Sequence, residues 1–305
     1  MRVLIIGASS FLGGHVLREA SVSGHEVVTA GRSCVSASAS HHRLDLAADG
    51  PSRIAGVISS IAPDAVINCA GATAGSPDVL AAANITAVYA LATAMIQSRF
   101  PARLVQIGSA AEYGRTREGI GVAESVSPQP ASVYGATKLA GTRLVELART
   151  AGLDAVVLRV FNVVGAGAPE DSMPGRAAVL LRQAMARGTD IRLGPLDAVR
   201  DFVDARDVAD AVLAAATARA LPHSLINIGS GRGVVSRALV RELLAISGYE
   251  AAVHEDAPGS ARSAALPWMQ ADITRAGQDL VWQPSRDLKA SVSDLWEASC
   301  GATEG

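Results

Sequence analysis

The chain has 305 residues, of which 49% are hydrophobic and 18% are charged. This length and composition suit one large or two modest domains with a sizeable apolar core, and they exclude an intrinsically disordered chain. Lys and Arg number 27 against 29 Asp and Glu, which leaves a net charge of −2. That balance excludes a globally basic nucleic-acid-binding protein, so no nucleic-acid partner is expected.

Cysteine usage and apolar runs bear on the compartment. The three cysteines, Cys34, Cys69 and Cys300, are odd in number and widely separated, which predicts reduced thiols in a cytoplasmic protein.

No metal is expected, because the histidines lack the spacing of metal ligands beyond His41-His42, which we interpret as a solvated turn. The first residues lack the long apolar core of a secretory signal. The apolar stretch Val79–Ser98 is diluted by alanine and polar residues, which favours a buried helix, and no membrane partner is expected.

Short strands and longer helices alternate from the first residues. The predicted strands are Val3–Ile6, Glu26–Ala30, Arg43–Leu46, Ala65–Asn68, Leu104–Ile107 and Ala155–Arg159. The predicted helices are Phe11–Ser21, Ile54–Ile61, Val79–Gln97 and Ser132–Thr150. This alternation predicts βαβ units, and therefore an α/β fold with a doubly wound parallel sheet of the Rossmann type.

The regular alternation ends after Asn162. A Gly- and Pro-rich mobile segment, Gly165–Pro174, comes next, followed by a helix at Ala177–Arg187 and a strand at Asp190–Leu193. After a loop through Arg200, the pattern predicts a helix at Ala205–Ala218 and a strand at Leu225–Ile228. We interpret this part as a smaller, irregular α/β C-terminal substrate domain on the carboxyl edge of the sheet. The predicted division is 1–162 plus 202–229 for the dinucleotide-binding domain, 163–201 plus 230–298 for a substrate-binding cap, and a tail at 299–305.

A small-residue loop joins the first strand to the first helix. Such a loop lets backbone N–H groups and the helix N-terminus approach a pyrophosphate. Its candidate cofactor-binding residues are Gly7, Ser9, Ser10, Phe11, Leu12 and Gly13. Ser10 occupies the middle position, where the pattern usually has glycine. The second strand ends at Gly31-Arg32, without the acidic residue that binds the ribose of NAD, and a guanidinium suits a 2′-phosphate. NADPH is therefore the favoured cofactor, with NAD(H) as the alternative.

A second group of residues suggests acid–base chemistry. Tyr134 and Lys138 are four apart, which places them on one face of a helix. A neighbouring ammonium favours the phenolate and makes a tyrosine usable as an acid or base near neutrality. Ser109 ends the preceding strand, where its hydroxyl can bond a substrate carbonyl oxygen, and Asn84 is a polar residue in an otherwise apolar helix. These four are the candidate catalytic residues.

The fragments IGSAAEYG, VYGATK, LRVFNVVG and GPLDAVRDFVDARDV resemble the extended short-chain dehydrogenase/reductase family that acts on nucleotide sugars, most of all its GDP-4-keto-6-deoxy-D-mannose reductases. The resemblance implies a catalytic triad of Ser109, Tyr134 and Lys138, with Asn84 supporting the cofactor and a water. It also implies a homodimer formed through the helices at Val79–Gln97 and Ser132–Thr150. It further implies that Asp45 and Leu46 contact the adenine of the cofactor, and that Ala70, Tyr134 and Lys138 make other cofactor contacts. The residues that it implies for binding the nucleotide-diphosphate sugar are Thr73, Ser109, Asn162, Arg200 and Arg262.

Departures from the family help to choose the reaction. Family dehydratases and decarboxylases carry acidic residues just after the catalytic hydroxyl, whereas this chain has Ala110-Ala111. Without those carboxylates the favoured reaction is NADPH-dependent reduction of a keto group, with C4 preferred, of a nucleotide-linked 4-keto-6-deoxyhexose, and Tyr134 as the proton donor. The alternatives are a 4-epimerase with tightly bound NAD and a non-enzymatic NADP(H)-binding regulator.

Overall fold

The computed structural model describes residues 1–34, 40–98, 100–258 and 266–301. Its strands are β1 (Arg2–Ile6), β2 (Glu26–Gly31), β3 (His41–Arg43), β4 (Ala65–Asn68), β5 (Arg103–Ser109), β6 (Ala155–Val160), β7 (Asn162–Val164), β8 (Ile191–Arg192), β9 (Val199–Asp204), β10 (Leu225–Ile228), β11 (Gly233–Val235), β12 (Val253–His254) and β13 (Trp268–Met269). Its helices are α1 (Phe11–Val22), α2 (Gly50–Ile61), α3 (Pro77–Ala81), α4 (Ala87–Ser98), α5 (Val133–Thr150), α6 (Met173–Arg187), α7 (Ala205–Thr217), α8 (Ser236–Ser247), α9 (Thr274–Leu280) and α10 (Leu288–Gly301).

The largest sheet has seven parallel strands in the order β10-β6-β5-β4-β1-β2-β3. The strand order reverses at β1, with β2 on one side and β4 on the other, so crevices for ligands open at the carboxyl ends of these strands. The α/β class and the doubly wound Rossmann sheet predicted from the sequence are confirmed.

Helices cover both faces of this sheet. α1 and α7 pack together on one face, and α2, α4 and α5 lie on the other. The strands between them are continuous aliphatic runs, such as Val3–Ile6 and Ala155–Val160, because both faces of a parallel strand are buried. The core is therefore built from aliphatic residues and alanine.

The third strand was predicted at Arg43–Leu46, and this prediction is wrong. β3 is His41–Arg43, paired with Thr29–Gly31, so His41 and His42 lie in an edge strand and not in a turn. The Thr29 hydroxyl donates to the carbonyl oxygen of Ser40 at 3.2 Å, which helps to hold the incoming chain beside β2. The apolar residues that suggested a strand, Leu44 and Leu46, are buried in the core after the strand has ended.

A second sheet is built around β9, which pairs with β7, β11 and β13. Arg200 therefore lies in a strand, and the predicted loop at this position is wrong. Behind this sheet α6, α8 and α10 enclose a separate core. α6 begins at Met173, earlier than the predicted Ala177, because the Ser172 hydroxyl accepts from the Gly175 N–H and Pro174 suits a first helical turn. The division into two domains by residue range stays a prediction.

The predicted helix Val79–Gln97 is interrupted. A π-helical turn, Ala82–Thr86, separates α3 from α4. The whole run Pro77–Ser98 is long and apolar enough to span a membrane by length and composition, and half of its most apolar window is buried inside the protein. It packs against α2 and α5 in the layer that covers the sheet. A π-turn inside a helix often marks a functional position.

Candidate active site

The loop after β1 leaves room only for glycine at two positions. Gly7 has a φ of +80°, and a Cβ there would lie 2.7 Å from the backbone nitrogen of Ala70. A Cβ on Gly13 would overlap the carbonyl oxygen of Gly7. The loop is thus folded tightly against the end of β4 and opens the N-terminus of α1 at the carboxyl edge of the sheet. This geometry fits the pyrophosphate of a dinucleotide, which needs close backbone approach and a helix N-terminus.

Ser10 has a structural reason to replace glycine. It is the N-cap of α1, and its Oγ accepts from the Gly13 N–H at 3.1 Å while its hydroxyl reaches the Cys69 carbonyl oxygen at 3.3 Å. The side chain therefore ties the loop to the end of β4 and satisfies one of the N–H groups at the helix start. The neighbouring candidates Ser9, Phe11 and Leu12 are exposed or partly buried around the same helix start.

The candidate adenosine residues lie at the ends of β2 and β3. Arg32 follows β2 directly and is exposed, and a Cβ at Gly31 would meet no atom closer than 3.8 Å. A Cβ at this position would therefore make only ordinary van der Waals contacts, so close packing does not require glycine at position 31. Asp45 holds a turn, since its carboxylate accepts from the Ala47 N–H at 3.0 Å, and Leu46 is buried beside it.

Asn84 lies in the π-turn and clamps the segment that follows β4. Its Nδ2 donates to the Ala72 carbonyl oxygen at 2.9 Å and to the Thr137 hydroxyl at 3.1 Å, and its Oδ1 accepts from the Ala72 N–H at 3.1 Å. A Cβ on Gly71 would lie 3.0 Å from Oδ1 of Asn84 and 4.0 Å from Nζ of Lys138. The structure thus brings Asn84 and Lys138 close to the same short segment.

Ser109 and Tyr134 are carried by elements that touch. Ser109 ends β5, and its Oγ accepts from the Ala111 N–H at 3.2 Å, which uses a lone pair and leaves the hydroxyl proton to donate. Tyr134 is in the first turn of α5. A Cβ on Gly135 would overlap the carbonyl oxygen of Ala111, so the start of α5 presses directly on the turn after Ser109.

Lys138 is one turn further along α5, and its Nζ donates to the Ile107 carbonyl oxygen at 2.7 Å. Burial lowers the pKa of this ammonium, whereas the negative charge of Glu112 opposes that decrease. Burial also raises the pKa of the nearby Cys69 thiol to about 12, so this thiol is neutral at physiological pH. The lysine is therefore held against β5 in a partly desolvated position.

Sequence reasoning missed the charged pair beneath these residues. Glu112 and Arg159 are buried and form an ion pair with an Oε2–Nε distance of 2.8 Å. The second Glu112 oxygen, Oε1, accepts from the Ser109 N–H at 2.9 Å. A serine followed three residues later by a glutamate is the capping-box pattern, and this signal could have indicated the Ser109–Glu112 contact.

The candidate substrate residues lie in several elements. Thr73 follows β4, and its hydroxyl donates to Asp171 at 3.1 Å, a contact that the sequence did not suggest. Asn162 begins β7, and its Nδ2 donates to the Asp201 carbonyl oxygen at 3.2 Å. Arg200 is buried on the adjacent β9, and burial lowers the pKa of its guanidinium. Arg262 lies outside the described residues.

Known proteins resemble the chain over most of its length. A model of the NAD dependent epimerase/dehydratase family matches residues 3–229. The chain is 35% identical over 307 residues to the dTDP-6-deoxy-L-talose 4-dehydrogenase (NAD(P)(+)) of Kitasatospora kifunensis, covering 99% of this chain and 96% of the relative. It is 30% identical to a UDP-glucose 4-epimerase of Streptomyces lividans, with 97% and 95% covered, and 28% identical to the GDP-6-deoxy-D-mannose reductase of Pseudomonas aeruginosa, with 77% and 81% covered.

A solved structure shows the same fold. That of MoeE5 in complex with UDP-glucose and NAD has a TM-score of 0.85 and 26% sequence identity, and 99% of each chain is covered. The family resemblance found in the sequence motifs is confirmed. With a family model over most of the chain and a relative at 35% identity over nearly its whole length, the chain belongs to the NAD-dependent epimerase/dehydratase family of extended short-chain dehydrogenases/reductases, and is an enzyme that modifies nucleotide sugars with a nicotinamide cofactor.

Proposed function

We propose that the enzyme interconverts a keto group and a hydroxyl group at C4 of a nucleotide-linked 6-deoxyhexose, with reduction by NADPH as the working direction. The observation that carries the proposal is the surroundings of Ser109. Ala110 and Ala111 follow it, and the nearest acidic side chain, Glu112, is fully buried and paired with Arg159. Dehydration needs a carboxyl group that can reach the sugar, and no carboxylate stands at positions 110 and 111.

The residues divide the work as follows. A bound nicotinamide supplies the hydride for the carbonyl carbon. Tyr134 donates a proton to the carbonyl oxygen, and the Lys138 ammonium favours ionisation of that phenol and binds the nicotinamide ribose. Ser109 donates a hydrogen bond to the carbonyl oxygen and stabilises the negative charge that develops there. Asn84 holds the segment after β4, against which the ribose side of the site is built.

The proposal also specifies the cofactor and the nucleotide that carries the sugar. The loop with Gly7 and Gly13 would hold the pyrophosphate of the cofactor. Asp45, Leu46 and Ala70 would contact its adenosine half, and Arg32 would bind the 2′-phosphate of NADPH. A relative named as a dTDP-6-deoxy-L-talose 4-dehydrogenase with NAD(P)(+) matches 99% of the chain, which favours a dTDP carrier over GDP. The name of this relative describes oxidation at C4, which is the reverse of the reduction proposed here.

The sugar nucleotide is expected to lie between the two sheets. Asn162 and Arg200 are on paired strands of the second sheet, and β7 begins two residues after Val160, which is the register partner of Ser109. An arginine suits bidentate recognition of a diphosphate. We assign Thr73, Asn162, Arg200 and Arg262 to substrate binding. We also place the enzyme in the cytoplasm, in keeping with the odd number and wide separation of its cysteines.

The proposal is tested by following oxidation of NADPH, with NADH as the control cofactor, on dTDP- and GDP-4-keto-6-deoxyhexoses made in situ by their dehydratases. We expect oxidation of NADPH with the dTDP sugar, and reduction of NADP⁺ in the reverse assay with dTDP-6-deoxy-L-talose. Turnover of a nucleotide hexose without added cofactor, by protein that purifies with NAD⁺, would instead establish a 4-epimerase.

Tyr134→Phe tests the proton donor. Loss of general acid catalysis lowers rates by about 10²- to 10⁴-fold, so kcat should fall in that range. The phenyl ring keeps the packing at the start of α5, so the NADPH dissociation constant should stay close to that of the unmodified enzyme. Turnover near the unmodified rate would contradict the assignment of Tyr134.

A further inference from the structure

Glu112 is a charged group that the proposed mechanism leaves without a role. It lies in the short 3-10 turn after β5, and its side chain is 0% exposed. Burying a carboxylate is costly unless hydrogen bonds and an opposite charge compensate. Glu112 has three such partners: the N–H of Ser109 at 2.9 Å, the Thr142 hydroxyl at 2.9 Å and Nε of Arg159 at 2.8 Å.

Two of these partners belong to the elements that carry the catalytic residues. Thr142 is four residues after Lys138 on α5, so both side chains lie on one face of that helix. On the strand side, Glu112 holds the N–H of Ser109, while Lys138 holds the carbonyl oxygen of Ile107 two residues earlier. The carboxylate and the ammonium therefore tie the same helix face to the same strand end, side by side.

Other charged groups in this region do not replace Glu112. Cys69, at the end of β4, faces Lys138 but is a neutral thiol at physiological pH, because burial raises its pKa to about 12. Arg159 on β6 is positive, pairs with Glu112 and stacks on the Tyr113 ring with a guanidinium-to-centroid distance of 4.5 Å. Tyr134, four residues before Lys138 on α5, is a further titratable neighbour on the same helix face.

We propose that Glu112 is a positioning residue of the catalytic centre, which fixes the strand end that carries Ser109 and supplies a buried negative charge that favours the ammonium form of Lys138. The role of the ammonium in catalysis rests on the proposed function. The effect of Glu112 on Lys138 is itself a property of the free enzyme and can be measured without any substrate.

Glu112→Gln separates the two parts of this role. The glutamine keeps an oxygen that can accept from the Ser109 N–H, but it removes the negative charge. Burial then acts on the Lys138 ammonium without opposition, so the pKa of Lys138 falls and the amine loses its proton at lower pH. A nearby opposite charge typically shifts a pKa by about one to three units, which sets the expected decrease.

The sequence makes this measurement simple, because the chain has two lysines, Lys138 and Lys289. Lys289 is exposed on α10, so Lys289→Arg leaves Lys138 as the single lysine. In that background, ¹³C-labelled lysine gives one Cε resonance, whose shift follows ionisation of Nζ across a pH titration of the cofactor-free enzyme. Thr142→Val is the matched control, since it removes one hydrogen bond from Glu112 but keeps the carboxylate, and its titration should match that of the parent.

The expected result is a Lys138 pKa at least about one unit lower in Glu112→Gln than in the parent. The alkaline limb of kcat should then move to lower pH by the same amount. If Glu112→Gln does not fold, Glu112→Gln/Arg159→Met, which leaves no unpaired buried charge, is compared with Arg159→Met. The two differ only in the Glu112 carboxylate, so the pKa of Lys138 should again be lower without it. A Lys138 titration that superimposes on the parent in the folded variant overturns the proposal. A shifted titration in an enzyme that reduces no keto sugar supports the role of Glu112 while refuting the proposed reaction.

Discussion

In the proposed function, the preference for NADPH over NADH depends on one exposed side chain at the end of β2. At Gly31 a Cβ would meet no atom closer than 3.8 Å, and Arg32 follows it at the surface. A glycine removes the repulsion that an acidic residue would exert on a 2′-phosphate, and an arginine adds attraction. Both features act in the same direction, and neither is required by packing.

Arg32→Ala should weaken NADPH binding and leave NADH binding nearly unchanged. A hydrogen bond to a charged group contributes about 1.5–3 kcal/mol, so the NADPH dissociation constant should rise about 10- to 100-fold. Isothermal titration calorimetry with each cofactor measures the difference. Arg219→Ala, at an exposed arginine in the connection between α7 and β10, should change neither constant. Equal losses for NADPH and NADH would show that Arg32 does not read the 2′-phosphate.

The βα turn that begins the fold illustrates how one element depends on close backbone contacts. In α1, adjacent glycines occupy different environments: a Cβ on Gly13 would overlap the Gly7 carbonyl oxygen, whereas a Cβ on Gly14 would meet its nearest atom, the Ala8 carbonyl oxygen, at 3.8 Å. The first position allows no side chain, and the second allows one at ordinary van der Waals distance. The pair therefore forms a matched test of the cofactor cradle.

Gly13→Ala should abolish measurable cofactor binding, because the loop must open to admit the methyl group and α1 moves away from β4. Gly14→Ala should bind NADPH like the unmodified enzyme and gain slightly in stability, since alanine is the better helix former. Fluorescence titration with NADPH and thermal unfolding measure the two effects. Similar behaviour of the two variants would contradict the close approach of Gly13 to Gly7.

The elements that sequence predicted well are those set by local pattern. β1, α1, β4 and β6 are aliphatic runs or amphipathic stretches bounded by glycine or aspartate, and they were placed within one or two residues. The sequence predicts a loop at Arg200 where the structure has β9, because the hydrogen-bond partners of this strand in β7, β11 and β13 are remote in sequence. The π-turn at Ala82–Thr86 was missed for a similar reason: the Asn84 side chain that lies in it bonds the distant Ala72 and Thr137.

The candidate site likewise contains residues that local patterns predict and residues that they do not. The spacing of Tyr134 and Lys138 and the position of Ser109 after a strand are local signals, and the structure brings their elements into contact. The ion pair of Glu112 could not be predicted, because its partner Arg159 is 47 residues away in the sequence. Arg159 lies on a strand whose position in the sheet does not follow from the sequence pattern. Charge pairing across a sheet becomes visible only when the strand order is known.

At the scale of the whole molecule, the outer face of α4 and α5 exposes large apolar side chains. Tyr89 and Ile96 on α4 are 54% and 43% exposed, and Leu147 on α5 is 65% exposed. Tyr89, Thr93 and Ile96 follow intervals of four and three, the spacing of a stripe that packs against other helices. Since α4 and α5 pack together, a second copy could bury this stripe in a symmetric four-helix contact, and we propose that the enzyme is a homodimer through this face.

Leu147→Glu should convert this dimer into a monomer. A two-fold interface repeats each residue, so the substitution introduces two unpaired carboxylates into an apolar contact, and a penalty of several kcal/mol weakens association by more than about 100-fold. Val22→Glu is the control, because Val22 is 79% exposed at the end of α1 on the opposite face of the sheet. Sedimentation velocity should give a dimer for the unmodified enzyme and for Val22→Glu, and a monomer for Leu147→Glu. A monomer in all three would leave the apolar face of α4 and α5 without this partner and refute the homodimer.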